Sequence, residues 1–356
     1  MPSPVLHRKR NGCVEQTIRL PRMLRVRRMN TEYLLQQLVE RVGHGERIAW
    51  CMVVGSRGST PQAKGAKMLV TESGEQLGTL GGGCVEAEVK KNALEMLARG
   101  ESKMLSFKLD HDYGWDDGLI CGGIMDIAVW SLTAPRDGEP FEQVVRALSQ
   151  KQSTTLSLVY TTPDGQRTYT ETLGPAPKLF IAGAGHVGLA LARVAADLDF
   201  DVTVIDDRPD CVSADRFPTS SRVVGEIETA LSRLTIDGST YVVIVTRGHR
   251  HDGAALGAVV GRGAKYVGLI GSKRKVRTIM ADLQARGVSR DNLLEVHAPV
   301  GLEIGAVTPA EIAISIAAEL VAVRRGRGEA PAASMKIDPQ QLSQWLDVLH
   351  DPADPN

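Results

Sequence analysis

The chain has no C-x-x-C pair, no excess of either charge, and no apolar run approaching the roughly 18 residues that a spanning helix needs. Each absence removes a class of protein. The five cysteines stand apart as Cys13, Cys51, Cys84, Cys121 and Cys211, so the ligand spacing of a zinc ribbon is missing. An odd count in 356 residues also argues against a small secreted disulfide scaffold, and the reading is a cytoplasmic protein with reduced thiols. Lys+Arg and Asp+Glu are equal at 42 each, which gives no general attraction to nucleic acid and none to an anionic membrane. What is present is an ordinary globular composition, 43% hydrophobic, in a chain long enough for two buried cores.

The first 28 residues differ. Arg8, Lys9, Arg10, Arg19, Arg22, Arg25, Arg27 and Arg28 face the single acid Glu15, with no apolar stretch behind them that would make a secretory signal. They read either as a disordered basic arm (1–28) or as sequence preceding a true start at Met29. From Asn30 the residues Leu34, Leu35, Leu38, Val39 and Val42 recur at helical spacing. "RIAWCMVV" (47–54) and "KMLV" (67–70) read as strands, and 84–98 as a helix ended by Gly100. Strands at 103–109 and 124–130, a helix at 140–149 and a hairpin over 154–173 follow. The first domain therefore spans 29–173, and "GPAP" (174–177) is the linker.

From Lys178 to about 326 short apolar strands alternate with helices, which predicts an α/β domain with a parallel sheet covered on both faces. "GAGHVG" places Gly183, Gly185 and Gly188 in G-x-G-x-x-G register between a strand and a helix. Asp206 ends the next strand, where a carboxylate accepts from a ribose hydroxyl; Arg208 beside it complicates that role. His186, and Arg247, His249, His251 and Asp252 in "TRGHRHD", lie at the carboxyl edge of such a sheet, where ligands bind. "GSKRK" offers Ser272, Lys273 and Arg274 at a helix start as an anion site, while Lys275 and Arg277 read as a solvated basic face. "TPAEIAISIAAELVAVRRG" closes the domain with a capping box of Thr308 and Glu311 around Pro309. The tail, 327–356, holds one short helical stretch at 338–349.

In the first domain, "GTLGGGCVEAEV" runs Gly81, Gly82 and Gly83 into Cys84 at a helix start. There the partial positive charge of the helix favours a thiolate, the nucleophilic and metal-binding form. Glu86 either orients that thiol or interacts with the helix N-terminus. Cys121, before Gly122 and Gly123, stands at a second glycine-rich loop end. The alternative for both cysteines is a small core residue, the reading adopted for Cys51. Arg57, Ser59 and Lys64 in "GSRGSTPQAKG" either line the same pocket or serve the turn.

Together, "GSRGSTPQAKGAKMLV", "GTLGGGCVEAEV", "CGG" at 121–123, "GAGHVGLALA", "VTVIDDRPD", "VVIVTRGHRHD", "YVGLIGSKRK" and "HAPVGLEIGAVTPAEIAISIAAELVAVR" resemble the xanthine dehydrogenase accessory factor family, XdhC/CoxI. The resemblance implies an N-terminal α+β XdhC/CoxI domain and a C-terminal Rossmann-like domain. It implies a chaperone more than a catalyst: a homodimer that binds a molybdopterin-type molybdenum cofactor and supports its sulfuration with a cysteine desulfurase. Delivery to a xanthine dehydrogenase-type molybdenum hydroxylase would follow. Cys84, Cys121 and Glu86 would carry the chemistry, with Cys84 a contact to the molybdenum centre. The cofactor would lie on the glycine loops and the Rossmann edge residues named above. The competing reading is an NAD(P)-dependent oxidoreductase, and a third is a non-catalytic nucleotide sensor.

Overall fold

The computed structural model of the chain describes residues 16–18, 30–109, 122–326 and 336–348. These fall into two units, Arg27–Pro175 and Ala176–Asn356, the second also taking in the N-terminal segment.

The first unit is built around "IAWCMVV". Its lack of polar alternation requires cover on both faces, and β2 (Ile48–Arg57) is the middle strand of a five-stranded antiparallel sheet. Its partners are β3 (Lys67–Thr71), β4 (Gln76–Gly78), β5 (Lys103–Lys108) and β6 (Ile124–Leu132), in the order β4-β3-β2-β6-β5. Ile48, Trp50 and Met52 face one layer, made of α1 (Thr31–Gly43), α3 (Glu139–Ser149) and the hairpin β7 (Thr154–Thr162)–β8 (Gly165–Leu173). Ala49, Cys51 and Val53 face the other, made of α2 (Gly83–Arg99) through Val85, Val89, Ala93, Met96 and Leu97. Cys51 is fully buried, and burial pushes its thiol well above the ordinary range.

The second unit has five parallel strands in the order β11-β10-β9-β12-β13: β9 (Lys178–Ala182), β10 (Asp201–Asp206), β11 (Ser221–Val224), β12 (Thr240–Ile244) and β13 (Tyr266–Leu269). The order reverses direction between β9 and β12, the switch point where open α/β sheets bind ligands. Leu179 and Ile181 pack with α4 (His186–Asp197) and α9 (Pro309–Arg324). Phe180 and Ala182 pack on the opposite layer. That layer holds α5 (Ile227–Arg233), α6 (His249–Gly257), α7 (Lys273–Ala285), α8 (Arg290–Leu294) and α10 (Pro339–Val348). The capping box of α9 is formed: Glu311 N–H donates to Thr308 Oγ1 (3.3 Å), and Thr308 N–H to Glu311 Oε2 (2.8 Å).

Two features differ from the sequence reading. Gln16–Ile18, within the arm read as disordered, form a strand, β1, antiparallel to β11 at the edge of the parallel sheet. Strand pairing uses backbone groups, so it does not depend on a pattern of apolar side chains. The apolar helix α9 also carries a buried acid. Glu319 accepts from the Tyr266 hydroxyl (2.5 Å) and Gly301 N–H (2.8 Å) and lies 3.1 Å from His297 Nδ1, tying β13 and the 297–301 segment to the helix. Among the described residues no helix is long and apolar enough to cross a membrane.

Candidate functional site

At one end of the first unit's sheet three loops meet: the one leaving β2, the one between β4 and α2, and the one entering β6. Their glycines show how closely they pack. A Cβ on Gly58 would lie 3.1 Å from Gly123 Cα, and one on Gly81 would lie 2.6 Å from Pro61 Cβ. Ser59 bridges to Gly122. Gly81, Gly82 and Gly83 have φ of +117°, +76° and +67°, three successive left-handed residues that side chains would strain. The loop is fixed by Glu86. Its carboxylate accepts from Gln76 Nε2 (2.6 Å), Thr79 Oγ1 (2.6 Å), Leu80 N–H (2.8 Å) and Gly82 N–H (3.1 Å). Burial pushes this carboxyl up, but the four hydrogen bonds outweigh it and hold it below the usual range. Glu86 is therefore a clamp of the loop.

Cys84 is the second residue of α2, half-buried and unoxidised, at the rim of these loops. Among the described residues no group of three or more His, Cys, Asp or Glu is placed to hold a metal ion. Cys121 lies outside the described residues. Arg57 is exposed and paired with Asp126 at 3.6 Å. Lys64 stands over the Tyr169 ring instead of at the loop junction, 5.1 Å from its centroid.

In the second unit the three fingerprint glycines separate by cause. A Cβ on Gly183 would lie 2.4 Å from the Val245 carbonyl oxygen, and one on Gly188 would lie 2.0 Å from the Gly183 carbonyl oxygen. Packing alone demands both. Gly185 has φ −68° and ψ −168°, open to any residue, and a Cβ there would meet nothing within 4 Å. No property of the folded chain requires glycine at this position. Glycine here leaves open space beside the N-terminus of α4.

The acids read as ligand contacts are already committed within the chain. Asp206 is buried. Its Oδ1 accepts from the Arg208 N–H (3.0 Å) and Nε (2.8 Å), and its Oδ2 from Ala184 N–H (2.7 Å) and Arg208 Nη2 (2.9 Å). Four donors fill the acceptor sites of a carboxylate, so a ribose hydroxyl would reach Asp206 only by displacing part of the Arg208 fork. Burial pushes this carboxyl up, but the Arg208 fork and the two backbone donors bring it down to about 2. Asp252 is also enclosed: it accepts from Thr246 N–H (3.2 Å) and Oγ1 (2.5 Å) and forms an ion pair with Lys275. It joins the ends of β12, α6 and α7, and Lys275 is no solvated cation. Arg277 is exposed as expected, over the Trp345 ring.

What remains open at the edge is basic. His186, His249 and Lys273 are the first residues of α4, α6 and α7, all exposed, with His251 and Arg274 exposed behind them. Ser272 caps α7, accepting from Lys275 N–H (3.3 Å). Arg247 is half-exposed and paired with Asp207. Sequence reasoning missed Arg216, whose Nη2 donates to the Ala184 carbonyl (2.9 Å) and pins the fingerprint turn from 32 residues away. It lies in a stretch without periodicity, and nothing local signals it.

The chain matches the XdhC and CoxI family over residues 42–108 and the XdhC Rossmann domain over 179–320. It is similar to uncharacterized protein YqeB of Escherichia coli, 31% identical over 278 residues, although the match spans only 43% of that relative's length. It is 25% identical to a probable xanthine dehydrogenase subunit of Bacillus subtilis, over 79% of this chain and 94% of the relative. It is 27% identical to the molybdenum cofactor insertion chaperone PaoD of Escherichia coli, over 82% of this chain and 88% of the relative. A crystal structure described as that of a xanthine dehydrogenase from Bacillus halodurans shares the fold, with a TM-score of 0.72 at 23% identity over 84% of this chain and 98% of that one.

Proposed function

The chain belongs to the XdhC and CoxI family, and from that premise we propose that it is an accessory protein that binds the molybdenum cofactor as cargo and passes it to a xanthine dehydrogenase-type molybdenum hydroxylase. The relative named as a molybdenum cofactor insertion chaperone supports this reading. The observation that carries it is Gly185, half-buried with open space where a side chain would stand at the start of α4, beside an edge of exposed basic residues. The phosphate or nucleotide tail of a pterin cofactor is the kind of anion that such an edge takes. His186, His249, Lys273 and Arg274 would hold it, with Arg247, Arg208 and Ser272 at its margin. The loops around Cys84 offer a soft sulfur of the type that suits a molybdenum dithiolene centre.

The finer proposal is that the cofactor is sulfurated while bound, with a cysteine desulfurase supplying the sulfur, and that the protein works as a homodimer in the cytoplasm. The oxidoreductase alternative is the second reading: a nicotinamide dinucleotide would look to Asp206 for its ribose contact and would have to displace the Arg208 fork to make it. The test is retention. Purified protein is mixed separately with isolated molybdenum cofactor, NADH and NADPH, gel-filtered, and assayed by absorbance and mass. Molybdenum cofactor should be retained by the wild type and lost by Gly185→Val. Retention of NADH with no retention of the cofactor overturns the reading.

A further inference from the structure

The mouth of the Rossmann cleft carries an ion pair that the proposed role leaves unexplained. β9 lies between β10 and β12, and its fingerprint turn emerges between the segments that follow those two strands. Asp207 follows β10, and Arg247 lies three residues beyond β12. Arg247 Nη2 is 2.6 Å from Asp207 Oδ2. The pair thus reaches from one flanking strand to the other, across the end of β9. The turn beneath is held on both sides, by Asp206 on the Ala184 N–H and by Arg216 on the Ala184 carbonyl, so it is not free to give way.

Charge makes the placement of Asp207 unusual. The segments leaving the four strands around the switch point are 183–185, 207–208, 245–248 and 270–272, and Asp207 is the one acid in them. The helices that follow three of them, α4, α6 and α7, open with His186, His249 and Lys273, basic residues at the end of a helix dipole that favours anions. A carboxylate at this edge occupies the position that the surroundings suit for a ligand's negative charge.

We propose that Asp207 is an internal counter-ion for Arg247, which an anionic ligand must displace to enter the cleft. A phosphate takes the guanidinium, and Asp207 turns out to solvent. The exchange lowers affinity for every anion, and most for ligands too weakly charged to compete, so Asp207 sets a threshold of charge for entry. The proposal rests on the reading of the cleft as an anion site.

The test is calorimetric titration of the full chain with inorganic pyrophosphate, with melting temperature measured on each sample. Releasing an exposed ion pair should make Asp207→Asn, and Asp207→Ser beside it, bind about two- to fivefold more tightly, the range set by the worth of such pairs. Arg247→Ala should bind about fivefold or more weakly, since a charge-assisted contact is lost. The single variants decide. If Asp207→Asn and Asp207→Ser bind no more tightly than wild type while Gly185→Val loses binding, the counter-ion role is overturned and the cleft reading stands. If Gly185→Val binds like the wild type, or the wild type does not bind pyrophosphate, the cleft reading fails and takes the counter-ion with it.

Discussion

Glu86 and Cys84 sit two residues apart in the first turn of one helix and face different tests. Glu86 holds four donors, two of them backbone N–H groups of the glycine loop. Its removal in Glu86→Ala leaves them without their acceptor, and stability should fall by about 1–3 kcal/mol, read from a urea transition. Because its folded pKa is depressed, its contribution is fully present above the unfolded carboxylate value and is lost as pH falls through the folded one. Asp206 behaves in the same sense with a window that can be named: its contribution should disappear between about pH 4 and pH 2, since its folded value is about 2. Acid denaturation of Asp206→Asn should accordingly be flatter than wild type in that interval. An equally steep acid limb would mean that the Arg208 fork does not persist in solution. Cys84→Ser should leave the melting temperature unchanged, because the side chain is half-exposed, while most activation of a hydroxylase is lost in a reconstituted transfer assay. The hydroxyl keeps the size but not a soft sulfur. Transfer at the wild-type rate would return the glycine loop to a purely structural role.

The short edge strand β1 makes a second kind of claim, about elements. A chain beginning at Met29 loses Gln16–Ile18 and exposes the β11 edge. It should still fold, because residues from Leu179 to Leu346 already build a core on each face of the sheet. Hydrogen exchange at the amides of Arg222–Val224 should nevertheless become faster by about tenfold or more, since local opening there no longer has a pairing strand to break. Unchanged protection at those amides would show that β1 does not stay docked. The contrast with α9 shows which elements a sequence discloses. Thr308, Pro309 and Glu311 are neighbours, so the cap could be read directly, and the apolar run behind them marked a helix. The strand β11 has four residues and no periodicity, and its partner β1 is some 200 residues away, so neither was legible. Glu319 was visible as a lone acid in an apolar helix, but its partners Tyr266 and His297 are 53 and 22 residues distant.

At the scale of the whole chain, the break at "GPAP" could be read because the pattern on either side changes, from antiparallel strands and a hairpin to strands alternating with helices. Candidate residues were legible as types and positions, not as partners. The fingerprint glycines were found together, yet only their surroundings separate Gly185 from Gly183 and Gly188. Asp206 and Asp252 were found at the expected edge; Arg208 stood in view beside the first, but nothing local marks Lys275 as the partner of the second. Each unit has cores of its own: one pair on the two faces of the antiparallel sheet, another on the two faces of the parallel sheet. A fragment of residues 176–356 buries both faces of its sheet without the first unit. It should therefore unfold cooperatively in urea and bind pyrophosphate with the same sensitivity to Gly185→Val as the full chain. The fragment 27–175 should also fold, with Cys84 reacting with a thiol reagent in the native state and Cys51 reacting only on unfolding, as its burial requires. A 176–356 fragment that melts without cooperativity, or a Cys51 that reacts as fast as Cys84 in native buffer, would show that the two units do not stand on separate cores.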